Sequence, residues 1–424
     1  MKTYTNPDKS QWEAICTRPV DGSADFSKAI EAAYTSIQDD GDDALKEFTK
    51  KFDKVELTEL IASEKMINSW SEKIDGKLAK AIDVAYENIT KFHKTQLQKD
   101  VNKIETSTGV ECWREVRPID AVGLYIPGGS APLFSTVLML GIPAQLANCQ
   151  KVILCTPPQQ DGSIHPAICY AAKKVGITHI FRVGGAQAII GMAVGTESIP
   201  KVDKIFGPGN QFVTEAKMQA QKYGVAIDMP AGPSEVMVVA DKSAQPQFVA
   251  ADLLSQAEHG PDSQVVLVAT SQQIVDAVQK ELAKQLKALP RQDIASEALK
   301  ESRIVIFEDM KKIIDFVNVY APEHLILSIE EPTKAIPHIN NAGSVFLGNY
   351  TPESAGDYAS GTNHTLPTNG WARTYSGLSV ESFSKYITFQ SITQKGAELL
   401  APTVAIMAKE EGLDAHKNAM EVRL

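Results

Sequence analysis

Between residues 121 and 347 one pattern repeats: a short run rich in Val and Ile, a helical stretch, then another such run. The β-rich runs fall at 121–126, 151–155, 179–183 and 204–206, with helical segments such as 167–175 and 211–223 between them. A second set follows at 235–240, 264–269, 303–307, 324–329 and 343–347. Strands that alternate with helices are joined by crossovers, and crossovers make parallel sheets. The chain therefore reads as α/β, with two Rossmann-like domains of about equal size, an N-terminal helical segment and a C-terminal tail. In the N-terminal part, 29–37 and 82–89 carry apolar residues at i, i+3/i+4 and i+7, the stripe of amphipathic helices. Partial alternation of polarity predicts a strand pair at 109–117. After Trp371 the chain is more polar and reads as helical. The expected boundaries are 1–24 as an N-terminal extension and 25–120 with 236–375 as one discontinuous α/β domain. Residues 121–235 form a second, nucleotide-binding domain, and 376–424 the tail.

The composition fits a large soluble core: of 424 residues, 43% are apolar and 22% charged. Disordered, collagenous and disulfide-scaffold classes are excluded. Lys and Arg number 42 against 52 Asp and Glu, a net charge of −10, which disfavours non-specific binding to nucleic acid or an acidic membrane. The most apolar stretch, 133–147, is short and broken by Gly141 and Pro143, so no transmembrane helix is expected. The first residues lack the apolar core of a signal peptide. Five cysteines, an odd number without C-x-x-C spacing, point to a reducing compartment and a cytoplasmic protein. Small-molecule enzyme is the leading class.

Three sets of residues could carry chemistry. Gly207-Pro-Gly-Asn210 joins a strand to a helix, where free N–H groups and the positive helix end suit phosphate. The third glycine of the dinucleotide fingerprint is missing, and a tight turn explains the spacing equally well. Gly184-Gly-Ala-Gln187 is a second such turn, and together they suggest a dinucleotide bound in a non-standard way. Gln256 and His259 lie three apart near a helix end and would share a face. Alone, such a His is more often a favourable charge on the helix dipole. His324, His364, His416 and Asp357, the last in a Gly-rich stretch at 354–361 that should be a loop, raise an N/O site for zinc or a related ion. Adjacent Glu323 and His324 follow Pro322, which should push Ala321 into an extended conformation. At a strand start both could line one cleft and exchange protons, although an idle strand-edge pair fits as well.

From about residue 25 onward the chain resembles the histidinol dehydrogenase family. The resemblance is carried by Gly207–Asn210, 227–235, 251–259, 321–325 and 360–376, five motifs in order. It implies a two-step oxidation of L-histidinol to L-histidine through L-histidinaldehyde, consuming two NAD, the last step of histidine biosynthesis. It also implies a homodimer with one zinc per subunit. The implied zinc ligands are Gln256, His259, Asp357 and His416, the last reaching into the partner subunit's site. Glu323 and His324 would be the catalytic residues. Ser234, Gln256, His259, His324, Asp357, His364, Glu411 and His416 would bind substrate, and Tyr125, Gln187 and Asn210 would contact NAD. No cysteine stands near these motifs, so the second step would proceed by hydration rather than through a thioester. A zinc hydrolase with Glu323 activating water would show no NAD dependence. A non-catalytic sensor of histidinol or histidine has the intact Glu-His pair against it.

Overall fold

Strands Glu235–Ala240 and Gln264–Ala269 are buried along their whole length. Such strands need helices on both faces, and near-continuous aliphatic sequence is what that burial selects. The structure, a computed structural model, describes residues 1–19, 26–98, 100–128, 132–230 and 232–424. Residues 20–24 of the expected N-terminal extension and Ala231 of the 227–235 motif lie outside them.

Three sheets form. The first has six parallel strands in the order Lys2–Thr5, Arg303–Ile306, Gln264–Ala269, Glu235–Ala240, His324–Ser328, Ser344–Leu347. Val236 and Val238 point to one face, with Leu253, Val275 and Val278 from helices Pro246–Ala257 and Gln272–Leu286. Met237 and Val239 point to the other, with Trp12 and with Ile313 and Val317 of helix Met310–Tyr320. The side chains alternate as a period of two requires.

The second sheet runs Ile61–Ala62, His179–Phe181, Lys151–Cys155, Ala121–Tyr125, Lys204–Phe206, Ala226–Ile227, and only its first pairing is antiparallel. Helix Phe134–Leu146, the most apolar stretch of the chain, is buried from Ser135 to Ala144 against it. The third sheet is antiparallel, in the order Ser384–Ile392, Val110–Pro118, Ile104–Ser107.

Two placements differ from expectation. Helices Ser27–Phe52 and Gly76–Lys94 pack on the second sheet: Ile30, Tyr34 and Leu45 meet Tyr125 and Ile190, and Ile82 and Ile89 join the core of Val122 and Leu138. The expected grouping of 25–120 with 236–375 does not match this packing. An amphipathic stripe tells that a helix buries one face, not which sheet receives it. Lys2–Thr5, within the expected N-terminal extension, forms an edge strand of the first sheet. The tail opens with a nine-residue strand, Ser384–Ile392, before helices Gln394–Glu410 and Asp414–Glu421.

In the first sheet the chain order reverses between Glu235–Ala240 and His324–Ser328, which lie side by side with Val236 opposite His324. In the second it reverses between Ala121–Tyr125 and Lys204–Phe206. Such reversals leave crevices at strand ends where loops diverge, the usual place for ligands.

Candidate active site

Helix Met310–Tyr320 stops at Ala321, which adopts the left-handed conformation (φ 54°, ψ 66°) and donates its N–H to Val317. The extended conformation expected of Ala321 is not what forms. Left-handed geometry also avoids the right-handed helical region that Pro322 penalises, and it closes the helix at the same time. The chain then enters strand His324–Ser328 with Glu323 and His324 both buried.

Both side chains converge on the backbone of Glu235 in the neighbouring strand. Its N–H donates to Glu323 Oε2 at 2.8 Å, and its carbonyl lies 3.1 Å from His324 Nδ1. A carbonyl only accepts, so the hydrogen-bond pattern assigns the proton of neutral His324 to Nδ1. Nε2 is buried without a hydrogen-bond partner, 3.4 Å from Asp357 Oδ1. Burial disfavours the imidazolium, yet the carboxylates of Glu353, Glu323 and Asp357 outweigh it and raise the pKa of His324 well above its usual value.

Residues 354–361 are not a plain loop: helix Glu353–Tyr358 occupies most of the stretch. Gly356 serves close packing, since a Cβ there would meet the ring of Phe346 at 2.6 Å. The helix places Glu353 and Asp357 four residues apart on one face, toward His324. Burial pushes up the pKa of Glu353, with Asp357 and Glu323 adding to it. For Asp357, burial is outweighed by the nearby imidazole of His324, and its pKa falls below the ordinary carboxylate value.

Helix Pro246–Ala257 supplies Gln256, buried in its last turn, and His259 follows just past its end. In the amide orientation that satisfies both of its ends, Gln256 donates to Glu353 and accepts from the Glu235 N–H at 3.2 Å. Donor atoms of His259, Glu353 and Asp357 lie within 4.8 Å of one another. Ser234, half-buried, precedes Glu235 at the same strand end. His364 lies where the two α/β units meet: its Nδ1 donates to the Asp357 carbonyl at 2.8 Å, and its Nε2, 3.1 Å from the Thr136 hydroxyl, accepts from it. Burial lowers its pKa.

Gln256, His259, Asp357, Glu323, His324 and His364 thus come together within one chain. Glu411 and His416 do not join them; both are exposed on the tail. Glu353 is the residue that sequence reasoning missed. Its only signal is the spacing to Asp357, and that spacing matters only once the segment is a helix.

The two glycine turns meet at the carboxyl ends of the second sheet. Gln187, Asn210, Gly185, Phe212 and Asp53 line a cleft of about 540 Å³. Asn210 caps helix Gln211–Ala220, its side chain accepting from the N–H groups of Phe212 and Val213. Tyr125 sits behind the cleft, its hydroxyl accepting from the Gly185 N–H at 3.0 Å. The turn at Gly207 (φ 133°) has no room for a Cβ, which would run into the Tyr125 carbonyl oxygen. A buried ion pair pins this turn: Lys217 Nζ lies 2.5 Å from Asp228 Oδ1 and donates to the Gly207 carbonyl at 2.9 Å. Asp228 in turn accepts from the Gly207 N–H at 2.8 Å.

A family model described as histidinol dehydrogenase matches residues 16–424. A curated histidinol dehydrogenase from Bacteroides fragilis is 51% identical over 424 residues, covering 100% of this chain and 99% of that protein. One from Arabidopsis thaliana, described as chloroplastic, is 52% identical and covers 100% and 91%. The crystal structure of histidinol dehydrogenase from Elizabethkingia anophelis aligns with a TM-score of 0.97 at 55% identity, covering 100% of this chain and 98% of that one. With the whole chain matched in sequence and in fold, the protein belongs to the histidinol dehydrogenase family of oxidoreductases.

Proposed function

We propose that the protein oxidises L-histidinol to L-histidine through L-histidinaldehyde, with two NAD and one zinc per subunit, as the last step of histidine biosynthesis. The observation that carries this reading is the buried Glu323–His324 pair, whose unpartnered Nε2 lies beside the donor group of His259 and Asp357. That donor set has imidazole, carboxylate and amide oxygen but no thiolate, and buried carboxylates outnumber the cations near it. Both features suit a divalent zinc ion. Gln256, His259 and Asp357, with His416 of the partner subunit, would hold it. Bound there, zinc would orient the amino alcohol, and NAD in the cleft of Gln187 and Asn210 would accept the hydride.

This chain's residues move the protons. With a divalent cation offsetting the carboxylates that raise its pKa, neutral His324 would take the alcohol proton at Nε2 while its Nδ1–H stays on the Glu235 carbonyl. Glu323, held by the Glu235 N–H, takes a proton from the water that adds to the aldehyde. His324 returns its first proton to the aldehyde oxygen as the hydrate forms, and then takes a proton from the hydrate in the second oxidation. Ser234, His364 and the partner subunit's Glu411 would contact the substrate, and Tyr125 would shape the dinucleotide turn.

The homodimer reading is supported by the tail. Helix Gln394–Glu410 buries only small residues and leaves Ile406 71% exposed, together with Leu399 and Met407. All five cysteines are free, which supports a reducing, cytoplasmic setting. Among the described residues no helix is long and apolar enough to cross a membrane.

The test is NADH absorbance on mixing protein, zinc and NAD with limiting L-histidinol. Two NADH per histidinol, abolished by a chelator, are expected. One would mean that oxidation stops at the aldehyde and would remove the role given to Glu323.

A further inference from the structure

Glu235 reaches the Glu323–His324 pair with its backbone alone, and its side chain is spent elsewhere. The carboxylate of Glu235, a residue only 1% exposed, is gripped by Arg18: Nε donates to Oε1 at 3.0 Å and Nη2 to Oε2 at 2.9 Å. The N–H of Asn369, from the loop beyond His364, donates to Oε1 at 2.7 Å. Arg18 is fixed in turn. Its guanidinium stacks 3.7 Å over the Tyr320 ring, and it donates to the carbonyls of Cys16 at 3.0 Å and Tyr320 at 2.8 Å. The Tyr320 hydroxyl donates to Gln264 Oε1 at 2.8 Å. Arg18 therefore ties together the start of strand Glu235–Ala240 and the helix end three residues before Glu323.

We propose that Arg18 and Glu235 are positioning residues, their buried ion pair fixing the two peptide groups that orient Glu323 and His324. The proposal rests on the reading that those two residues perform the acid–base chemistry. A bidentate arginine–carboxylate pair sets direction as well as distance, which a single charge does not. Buried pairs often add little net stability, because desolvation offsets the attraction. A pair that served only to hold the N-terminal segment would leave turnover untouched in protein that folds.

Three variants separate these roles in the full-length, zinc-loaded protein: Arg18→Met, Arg18→Lys and Glu235→Gln. Arg18→Met should lower kcat by about 100-fold, the size expected for a misplacement of about 1 Å. KM for L-histidinol and zinc content should stay within about twofold of wild type, since Arg18 contacts Glu235, Cys16 and Tyr320 and none of the proposed zinc or substrate residues. Arg18→Lys keeps the charge with fewer contacts and should recover part of kcat. A crystal structure of Arg18→Met should show Glu323 and His324 released from the Glu235 peptide groups. If Arg18→Met does not fold, Glu235→Gln, which keeps the size and removes the charge, carries the same readings. A folded variant with wild-type kcat and both hydrogen bonds in place overturns the proposal. Because the crystal structure needs no turnover, an inert wild type would sink the assigned reaction while the positioning role still stands or falls on those two bonds.

Discussion

His324→Gln keeps a polar side chain but removes the base atom Nε2. Turnover should fall by about 10²–10⁴-fold, the usual contribution of a positioned acid–base group. Zinc content, measured by atomic absorption, should stay at the wild-type level, and loss of metal would move His324 into the ligand set. Asp53 behaves differently. Burial lifts its pKa to about 6, and its Oδ2 is buried without a partner beside the cleft of Gln187 and Asn210. The folded state therefore holds this proton more tightly than the unfolded chain does. Its contribution is fully present below the unfolded value of 3.8 and is lost as pH rises through about 6. Above that, ionised Asp53 weakens the fold, so Asp53→Asn should stabilise the protein by about 1 kcal/mol at neutral pH, after allowing for partial solvent screening. Below about pH 4 the gain should vanish, and urea unfolding at the two pH values measures both. A gain that is equal at both would point to packing instead. At this scale the sequence showed which residue types were available but not their environment. Nothing beside Glu353 in the chain hints that Gln256 would be pressed against it.

Lys217 lies in helix Gln211–Ala220 and Asp228 just past strand Ala226–Ile227; their side chains are 2% and 1% exposed, so each neutralises the other at the second sheet's end. Lys217→Met would leave a buried carboxylate without its cation, at a cost of about 3–5 kcal/mol. The turn at Gly207 would lose the Lys217 contact, so NAD affinity should fall as well. Chemical unfolding and NAD titration read the two effects, and a stability loss under about 1 kcal/mol would show that water reaches the pair. The elements themselves were the most legible part of the chain. Every strand run noted between 121 and 347 lies within a residue or two of an observed strand, because helices cover both faces and demand aliphatic residues. Helix Glu353–Tyr358 was hidden by its Ser-Ala-Gly interior, which reads as a loop and is in fact small so that Phe346 can approach. Strand Ser384–Ile392 was hidden for the opposite reason: it is mostly exposed, so no buried face imprints an alternation on it.

At the scale of the molecule, the candidate ligands divide between a group in the first sheet's unit, with Gln256 buried and His259 exposed, and a tail that turns His416 to solvent. If His416 completes a neighbouring subunit's site, the defects of His416→Ala and His324→Ala lie on different sides of one interface. Each variant alone lacks a working site. When equal amounts are unfolded together and reassociated, half of the dimers should be mixed. In a mixed dimer one site carries both defects, while the other combines an intact His324 with an intact His416. Activity should therefore recover to about one quarter of wild type, from zero in either parent. A tail that folded back onto its own subunit would give no recovery, because every site would then contain one defect. Zinc content should be low in His416→Ala, full in His324→Ala and about half in the mixture, so it tests the ligand role while activity tests the sharing. Recovery of activity in the mixture with full metal in the His416→Ala parent would keep the shared site but take His416 out of the ligand set.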